Sequence, residues 1–150
     1  MMEYSNTYLI GPQEGGPAIL IDPGHIDIDL IERIERNNFT VAHVLITHRH
    51  AAHHQGLGTL MKIYHPIVHA GSPTLFEVPV VSIEDNEQIV VGEIVIKALQ
   101  VPGHTIDSFV FHIGNALFTG DVLYAGTIGS TTGVVERALL LKGIKRNILS

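Results

Sequence analysis

The sequence of 150 residues contains no cysteine. This absence excludes a disulfide framework, a thiolate metal site and a cysteine nucleophile. No apolar run approaches the ~20 residues that a membrane span needs. The polar start, from Met1 to Tyr8, lacks a basic segment followed by an apolar one, so we expect no signal peptide. By elimination we expect a cytoplasmic protein that makes no contact with a membrane.

Positive charge is also scarce in this chain. It has 9 Lys and Arg against 15 Asp and Glu, which gives a formal net charge of -6. Nucleic-acid binding is therefore disfavoured, because no basic stripe is available to follow a phosphate backbone. A small-molecule substrate is the expected partner, and a homo-oligomer is left open. Four basic residues near the C-terminus indicate instead the solvated face of a helix: Arg137, Lys142, Lys145 and Arg146.

The apolar pattern predicts one domain over residues 1–150, since 45% of the residues are hydrophobic and the length suits a single core. Strands and helices are mixed along the chain and the later strands form hairpins, which predicts an α+β fold with a mixed or antiparallel sheet and helices outside it. Strands are predicted at 7–10, 18–22, 41–46, 67–69, 78–83, 89–91, 94–96, 109–113 and 116–119, and helices at 27–36, 57–64 and 134–148.

Ten histidines are present, and four of them lie between positions 48 and 54: His48, His50, His53 and His54. His48 and His50 follow a predicted strand, and residues two apart in an extended chain point to the same side. His53 comes after a turn and approaches the same point from another direction. Imidazole is a common ligand of zinc and also suits iron, so this segment predicts a metal site.

Further ligands are expected from the ends of two other strands, because a zinc site needs about four ligands. His104 follows the strand that ends near Val101, and Asp121 follows the strand 116–119. Both positions are loops at strand ends, where side chains of one sheet converge. Asp22 is interpreted as a structural turn residue or as a partner of a ligand. The remaining histidines, His69 among them, are interpreted as surface or strand residues.

These segments resemble the motifs of the metallo-β-lactamase superfamily, in the same order along the chain. Residues 47–53, Thr-His-Arg-His-Ala-Ala-His, are similar to its T-H-x-H-x-D-H signature. Residues 22–24 resemble its D-x-G turn, 103–108 its G-H-T-x-x-S segment, and 117–121 its L-F-x-G-D segment. Residues 126–130 lie where the glyoxalase II-like (hydroxyacylglutathione hydrolase-like) branch carries a Gly-x-x-Gly-Arg loop, so that branch is the one we expect.

The resemblance implies an αββα sandwich with mixed sheets, outer helices and a metal site at one edge of the sheets. It implies that His48, His50 and His104 hold a first metal ion. It further implies that Asp121 bridges to a second metal ion, of which His53 is a ligand. Zinc is the expected metal, and iron remains possible.

Two departures from the family pattern change this expectation. The signature aspartate is replaced by Ala52, and no histidine follows His112. The resemblance therefore suggests that the last part of the fold is missing from this sequence. We expect one well-held metal ion, with the second weakly bound or absent, because only His53 and Asp121 remain to hold it.

The expected activity is that of a metal-dependent hydrolase, in which a metal-bound hydroxide attacks a thioester or ester carbonyl. Asp121 and His53 are the expected catalytic residues. Two alternatives remain open at this point. One is a metal-binding module of the same fold that is catalytically weak or inactive, which Ala52 favours. The other is a mononuclear iron oxidoreductase.

Overall fold

The computed structural model describes residues 5–72 and 77–149. Within these residues, no helix has the length and the apolar character required to cross a membrane. The helices are α1 (Ile28–Arg36), α2 (Leu57–Ile63) and α3 (Val134–Asn147), with a short 3-10 turn at Ala51–His53. The strands are β1 (Tyr8–Ile10), β2 (Gly16–Ile21), β3 (Phe39–Leu45), β4 (Ile67–Ala70), β5 (Val80–Ser82), β6 (Gln88–Val91), β7 (Ile94–Gln100), β8 (Phe109–Ile113), β9 (Ala116–Phe118), β10 (Leu123–Tyr124) and β11 (Thr127–Ile128).

The first sheet has the order β1-β2-β3-β4-β5. Strand β1 is antiparallel to β2, whereas β2 to β5 pair in parallel. Parallel strands are buried on both faces and read as continuous apolar runs, as in Ala18–Ile21, all of whose side chains are fully buried. The outer face carries Leu20 and Val44, which belong to one apolar cluster with Ile34 of α1 and Leu60 of α2.

The second sheet is antiparallel, with the order β6-β7-β8-β9. Its outer face is covered by α3, because Leu140 and Ile144 form an apolar cluster with Leu99 and Val110. The inner faces of the two sheets meet in a third cluster, which includes Ile19, Ile21, Leu45, Ile96 and Phe111. The fold is therefore an αββα sandwich of mixed sheets with outer helices, as expected.

Most of the predicted elements are confirmed within one or two residues. Helix α1 begins after Asp27, whose side chain accepts a hydrogen bond from the Leu30 amide and so caps the helix. The strand predicted at 78–83 is shorter, and the one predicted at 94–96 continues to Gln100. The hairpin of β10 and β11 was not predicted, because two strands of two residues show no alternation that a sequence pattern can detect.

The apolar stripe predicted for the last helix is only partly present. Leu140 and Ile144 are buried, but Val134 and Val135 are 85% and 69% exposed. Helix α3 therefore packs on the second sheet through one side chain per turn in its central part, and its first turn extends beyond that contact. The spacing of apolar residues predicted the helix correctly and overestimated the width of its buried face.

Candidate metal centre

The loop after β3 carries three of the predicted ligands. His48 is 1% exposed, and the backbone that leads into it is fixed, since the Ile46 amide donates to the His69 carbonyl and the Phe109 amide to the Thr47 carbonyl. The chain then reverses in the 3-10 turn Ala51–His53, where the His53 amide donates to the His50 carbonyl. This reversal returns the His53 side chain to the neighbourhood of His48, with ring centroids 4.2 Å apart.

His104 follows β7 on a turn that is pressed against α3. Gly103 has a φ of +142°, and a Cβ there would lie 2.5 Å from Leu140 Cβ and 2.6 Å from the Glu136 carbonyl oxygen. Glycine is therefore required by both the backbone conformation and the close approach. The His104 ring is held by its Nδ1–H, which donates to the Ser130 carbonyl over 2.7 Å.

Asp121 follows β9 on a second crowded turn. Gly120 has a φ of +53°, and a Cβ there would lie 2.5 Å from Thr47 Oγ1. Gly129, beyond the β10–β11 hairpin, packs so closely that an added Cβ would collide with the Asp121 carbonyl oxygen. The Asp121 backbone is thus held between the histidine loop and the segment that contains Ser130.

The structure brings the side chains of the predicted ligands together. His48, His50, His104 and Asp121 each offer a ligand atom, and these atoms all lie within 4.8 Å of one another. Asp121 Oδ2 lies 3.3 Å from His48 Nε2 and 3.4 Å from His104 Nε2. His50 Nδ1 lies 3.2 Å from His104 Nε2. Convergence of three imidazoles on one carboxylate oxygen is the donor set that zinc or iron takes in proteins.

A hydrogen-bonded network behind the site fixes the orientation of the imidazoles. Asp22 accepts hydrogen bonds from the Thr47 amide at Oδ1 (2.8 Å) and from the Thr47 hydroxyl at Oδ2 (2.7 Å). Because that hydroxyl hydrogen is used on Asp22, Thr47 Oγ1 accepts from His48 Nδ1–H over 3.0 Å. His53 Nδ1–H donates to Asp22 Oδ2 over 2.8 Å. Asp22 therefore contacts the His53 imidazole directly and the His48 imidazole through Thr47.

These contacts leave Nε2 as the free ligand atom of each oriented imidazole. The Nδ1 hydrogens of His48, His53 and His104 are fixed by oxygen acceptors. His48 Nε2 is buried and has no hydrogen-bond partner among the described residues. A buried nitrogen without a partner destabilises the folded chain unless a cation binds it. The residues present therefore fit a metal ion.

The ionisable groups of the site strongly influence one another. Burial alone would raise the pKa of Asp121, but the imidazoles of His104, His48 and His53, each with its Nε2 within 3.4 Å of the carboxylate, hold that pKa well below its usual range. Burial likewise opposes protonation of His53, yet its hydrogen bonds with Asp121 and Asp22 raise its pKa to about 9. The hydrogen bond to Asp121 raises the pKa of His104, against the effect of burial. A bound cation would have to displace protons held in this way.

His53 occupies a different place from the other predicted ligands. Its Nε2 lies 3.3 Å from Asp121 Oδ2, but it is outside the group of four residues whose ligand atoms converge. The neighbouring Ala52 offers no ligand atom, and its carbonyl accepts a hydrogen bond from Ser5 Oγ over 2.6 Å. The ligand role of all these residues remains a prediction, with His53 the least supported of them.

Sequence reasoning missed the roles of Thr47 and Ser130. Thr47 is part of the recognised signature, so its position was visible, but nothing in the pattern showed that its hydroxyl joins Asp22 to His48. Ser130 acts through its backbone carbonyl, which has no sequence signal. His69, interpreted as a surface or strand residue, is buried in β4, with its Nε2 2.8 Å from His43 Nδ1.

Comparisons with known proteins agree with this geometry. A family model described as the metallo-β-lactamase superfamily matches residues 2–80. A hydroxyacylglutathione hydrolase of Tolumonas auensis is 30% identical over 83% of this chain and 50% of its own length. An atrochrysone carboxyl ACP thioesterase of a Cryptosporiopsis species is 30% identical over 90% of this chain and 42% of its own length.

A solved structure, that of ETHE1 from Myxococcus xanthus, has a TM-score of 0.79 and 30% identity, and the match covers 95% of this chain and 64% of that one. The chain spans about half the length of the curated relatives named above. It therefore contains most of the fold, including the four converging residues, while the relatives carry additional sequence.

Proposed function

The chain belongs to the metallo-β-lactamase superfamily, and from this membership we propose that it is a metal-dependent hydrolase of the glyoxalase II-like branch, acting on a thioester or ester carbonyl. The single observation that carries the proposal is the convergence of the ligand atoms of His48, His50, His104 and Asp121 within 4.8 Å. Two relatives named as a hydroxyacylglutathione hydrolase and an ACP thioesterase support thioesters as the substrate class.

The proposed holding set is His48, His50, His104 and Asp121. When bound, a divalent metal ion lowers the pKa of coordinated water toward ~7 and polarises a carbonyl oxygen. Three neutral imidazoles and one carboxylate suit zinc, and they suit iron as well. The chain contributes an ordered arrangement of these groups, because oxygen acceptors hold the Nδ1–H of His48 and the Nδ1–H of His104.

His53 is the residue of the site that accepts and donates protons, and Asp22 fixes its orientation. His53 Nδ1–H is held by Asp22, and His53 Nε2 faces Asp121 over 3.3 Å. In this orientation, His53 Nε2 is the nitrogen that exchanges a proton with water or substrate beside Asp121. In the overall reaction, water adds its oxygen to the acyl carbon, the carbon–sulfur or carbon–oxygen bond breaks, and the leaving thiol or alcohol takes a proton.

The test is turnover of an acylated glutathione and of a p-nitrophenyl ester by zinc-loaded protein. We expect hydrolysis that is lost in His48→Ala and in His104→Ala, and kept in the matched control His112→Ala, because His112 is exposed on β8. Metal content is measured on the same samples. Background rates toward thioesters, esters, lactams and phosphodiesters in metal-loaded protein would overturn the hydrolase proposal and favour a non-catalytic metal-binding module.

A further inference from the structure

An open groove of about 900 Å³ runs beside the outer edge of β1. Every residue from Ser5 to Gly11 lines it, together with residues of α1 and with Phe118 of β9. Strand β1 is the outermost strand of the first sheet, and among the described residues it pairs only with β2. The groove therefore lies where a further strand would join this sheet.

The unpaired backbone groups of β1 can be identified from the hydrogen bonds of β2. The Asp22 amide donates to the Leu45 carbonyl of β3, so the Ile21 carbonyl, on the opposite side of the same trans peptide, points toward β1. Tyr8 lies opposite Ile21 in the ladder and thus belongs to a hydrogen-bonded pair. Such pairs alternate with non-bonded ones in an antiparallel ladder. The N–H and C=O of the next residue, Leu9, therefore point away from β2, toward the groove.

Strand β1 lacks the features that protect an exposed strand edge. Natural proteins protect such edges with charged residues, proline or bulges. The sequence of β1, Tyr-Leu-Ile, has no charged residue and no proline, and its register with β2 is regular over all three residues. Tyr8 is 42% exposed. An unprotected apolar edge of this kind is a template for the strand of another chain.

The α1 side of the groove is self-complementary in charge. Asp27, Leu30 and Arg33 line it, at a spacing of three residues that places them on one face of the helix. Among the described residues, no carboxylate forms an ion pair with Arg33, whereas Arg36 pairs with Glu32. A twofold axis beside Leu30 would place Asp27 of each chain opposite Arg33 of the other. This exchange favours a second copy of the same chain over an unrelated peptide.

We propose that the groove binds a second copy of this chain, in a homodimer whose β1 strands pair antiparallel about a twofold axis at Leu9. The N–H of Leu9 in each chain then donates to the Leu9 carbonyl of the other, and the two first sheets become one continuous sheet. One axis fits both the free backbone groups of β1 and the charges of α1. The pairing also orders one wall of the cavity beside the metal centre, since Ser5, Asn6 and Tyr8 line both that cavity and the groove.

The oligomeric state of the full chain is the first test of the proposal. A contact made by one short strand and one helix face belongs to the small class of interfaces. We therefore expect a reversible monomer–dimer equilibrium with a Kd on the order of 1–100 µM. Sedimentation velocity over this range of concentrations measures it on zinc-loaded protein. A chain that stays monomeric throughout, or that assembles beyond a dimer, would overturn the proposal.

Leu9→Pro tests the position of the axis, because proline removes the N–H that the ladder with β2 does not use. Proline is tolerated on an edge strand, so we expect a folded chain, as checked by circular dichroism. Its dimer Kd should rise by ~10-fold or more, since each dimer loses two hydrogen bonds. The matched control is Leu9→Val, which keeps the N–H and should keep the wild-type Kd. Equal Kd values for all three proteins would overturn the pairing through β1.

A charge reversal on α1 tests the same interface without changing the strand. Arg33→Glu places a carboxylate opposite Asp27 of the other chain twice in each dimer, so we expect the Kd to rise by ~10-fold. The matched control is Arg36→Glu, since Arg36 is exposed in the same last turn and does not line the groove. An equal effect of the two substitutions would contradict the helix contact.

A single introduced thiol identifies the residues that meet at the axis, because the chain contains no cysteine. Hydrogen-bonded antiparallel pairs have Cα atoms about 5.5 Å apart, within the range that a disulfide spans. Under mild oxidation we expect Leu9→Cys to form a covalent dimer. Val90→Cys, at a position 61% exposed in β6, is the control and should remain a monomer on a denaturing gel. Cross-linking at equal rates would contradict an axis at Leu9.

Discussion

Asp22 Oδ2 lies 2.8 Å from His53 Nδ1 and 2.7 Å from Thr47 Oγ1, although Asp22 precedes His53 by 31 residues. The side chain of Asp22 is 2% exposed, and its oxygens accept hydrogen bonds from the loop that carries His48, His50 and His53. One buried carboxylate therefore orients the nitrogen of His53 directly and that of His48 through Thr47. The early D-x-G turn therefore holds the histidine loop in place through the hydrogen bonds that Asp22 accepts.

We predict that Asp22→Asn weakens metal binding by ~10–100-fold, the range seen when a partner of a ligand is lost. An amide offers one oxygen in place of two, so the Thr47 and His53 donors can no longer all be satisfied. The free energy of unfolding should also fall by about 1–3 kcal/mol. A chelator competition titration and urea unfolding measure the two effects.

The matched control for this change is Asp29→Asn, because Asp29 is exposed in the first turn of α1. It removes the same charge at a distance from the metal centre. Metal affinity that is equal in Asp22→Asn and in the wild-type chain would mean that Asp22 is a turn residue without influence on the ligands.

Gly129→Ala is predicted to displace Asp121, the carboxylate of the metal centre. The added Cβ would collide with the Asp121 carbonyl oxygen, so the hairpin must shift and move the Asp121 carboxylate. We expect a loss of about 1–3 kcal/mol in the free energy of unfolding, together with weaker metal binding. Gly58→Ala is the control, since a Cβ at Gly58 meets nothing within 4 Å and alanine favours α2 by roughly 0.5–1 kcal/mol. Unchanged metal affinity in Gly129→Ala would contradict the role given to this contact.

Ala52→Asp is predicted to raise the metal content and the hydrolytic rate. Position 52 lies next to His53 in the 3-10 turn, and a carboxylate there would add a third ligand to His53 and Asp121. The control is Ala51→Asp, which introduces the same group at the exposed neighbouring position. Elemental analysis and ester hydrolysis follow the change. No gain in either quantity beyond that of Ala51→Asp would contradict our interpretation of Ala52.

Buried His69, in contact with His43, predicts a loss of stability in acid. Burial and the nearby His43 lower the pKa of His69 from 6.5 to about 4, partly opposed by Glu87. The unfolded chain therefore binds a proton that the folded chain does not, and the contribution of neutral His69, full above pH 6.5, is lost as the pH falls toward 4. Its size should be on the order of 1–3 kcal/mol.

Urea unfolding at several pH values between those limits measures this effect. We expect His69→Phe to have a shallower decrease in unfolding free energy than the wild-type chain. His112→Gln, a substitution in an exposed strand position, should keep the wild-type slope. An identical slope in all three proteins would show that His69 does not titrate on unfolding.

The convergence of His48, His50, His104 and Asp121 could be predicted from the sequence because these residues follow strands in short segments that resemble family motifs. His48 and His50 are two apart on an extended chain, and His104 and Asp121 each follow a strand with a glycine before them. The order of four such segments implied the sandwich before any contact was known.

Long-range contacts could not be predicted in the same way. The hydrogen bonds of Asp22 with Thr47 and His53 join positions 25 and 31 residues apart, and no periodicity marks them. The parallel pairing of β2 to β5 could not be predicted either. The alternation of apolar and polar residues shows which face of a strand is buried, but it does not show which strands lie beside it. His69 lies in a strand, as interpreted, but its burial could not be predicted, because both faces of a parallel strand are buried and a polar residue there need not face water.

Metal content per chain, measured by elemental analysis of protein purified without chelators or a histidine tag, tests the central claim most directly. We predict about one zinc or iron ion per wild-type chain, held by His48, His50, His104 and Asp121, and its loss in His104→Ala. About two ions per chain would show that the second site is complete despite Ala52. No bound metal, even after zinc is added, would contradict the metal centre itself.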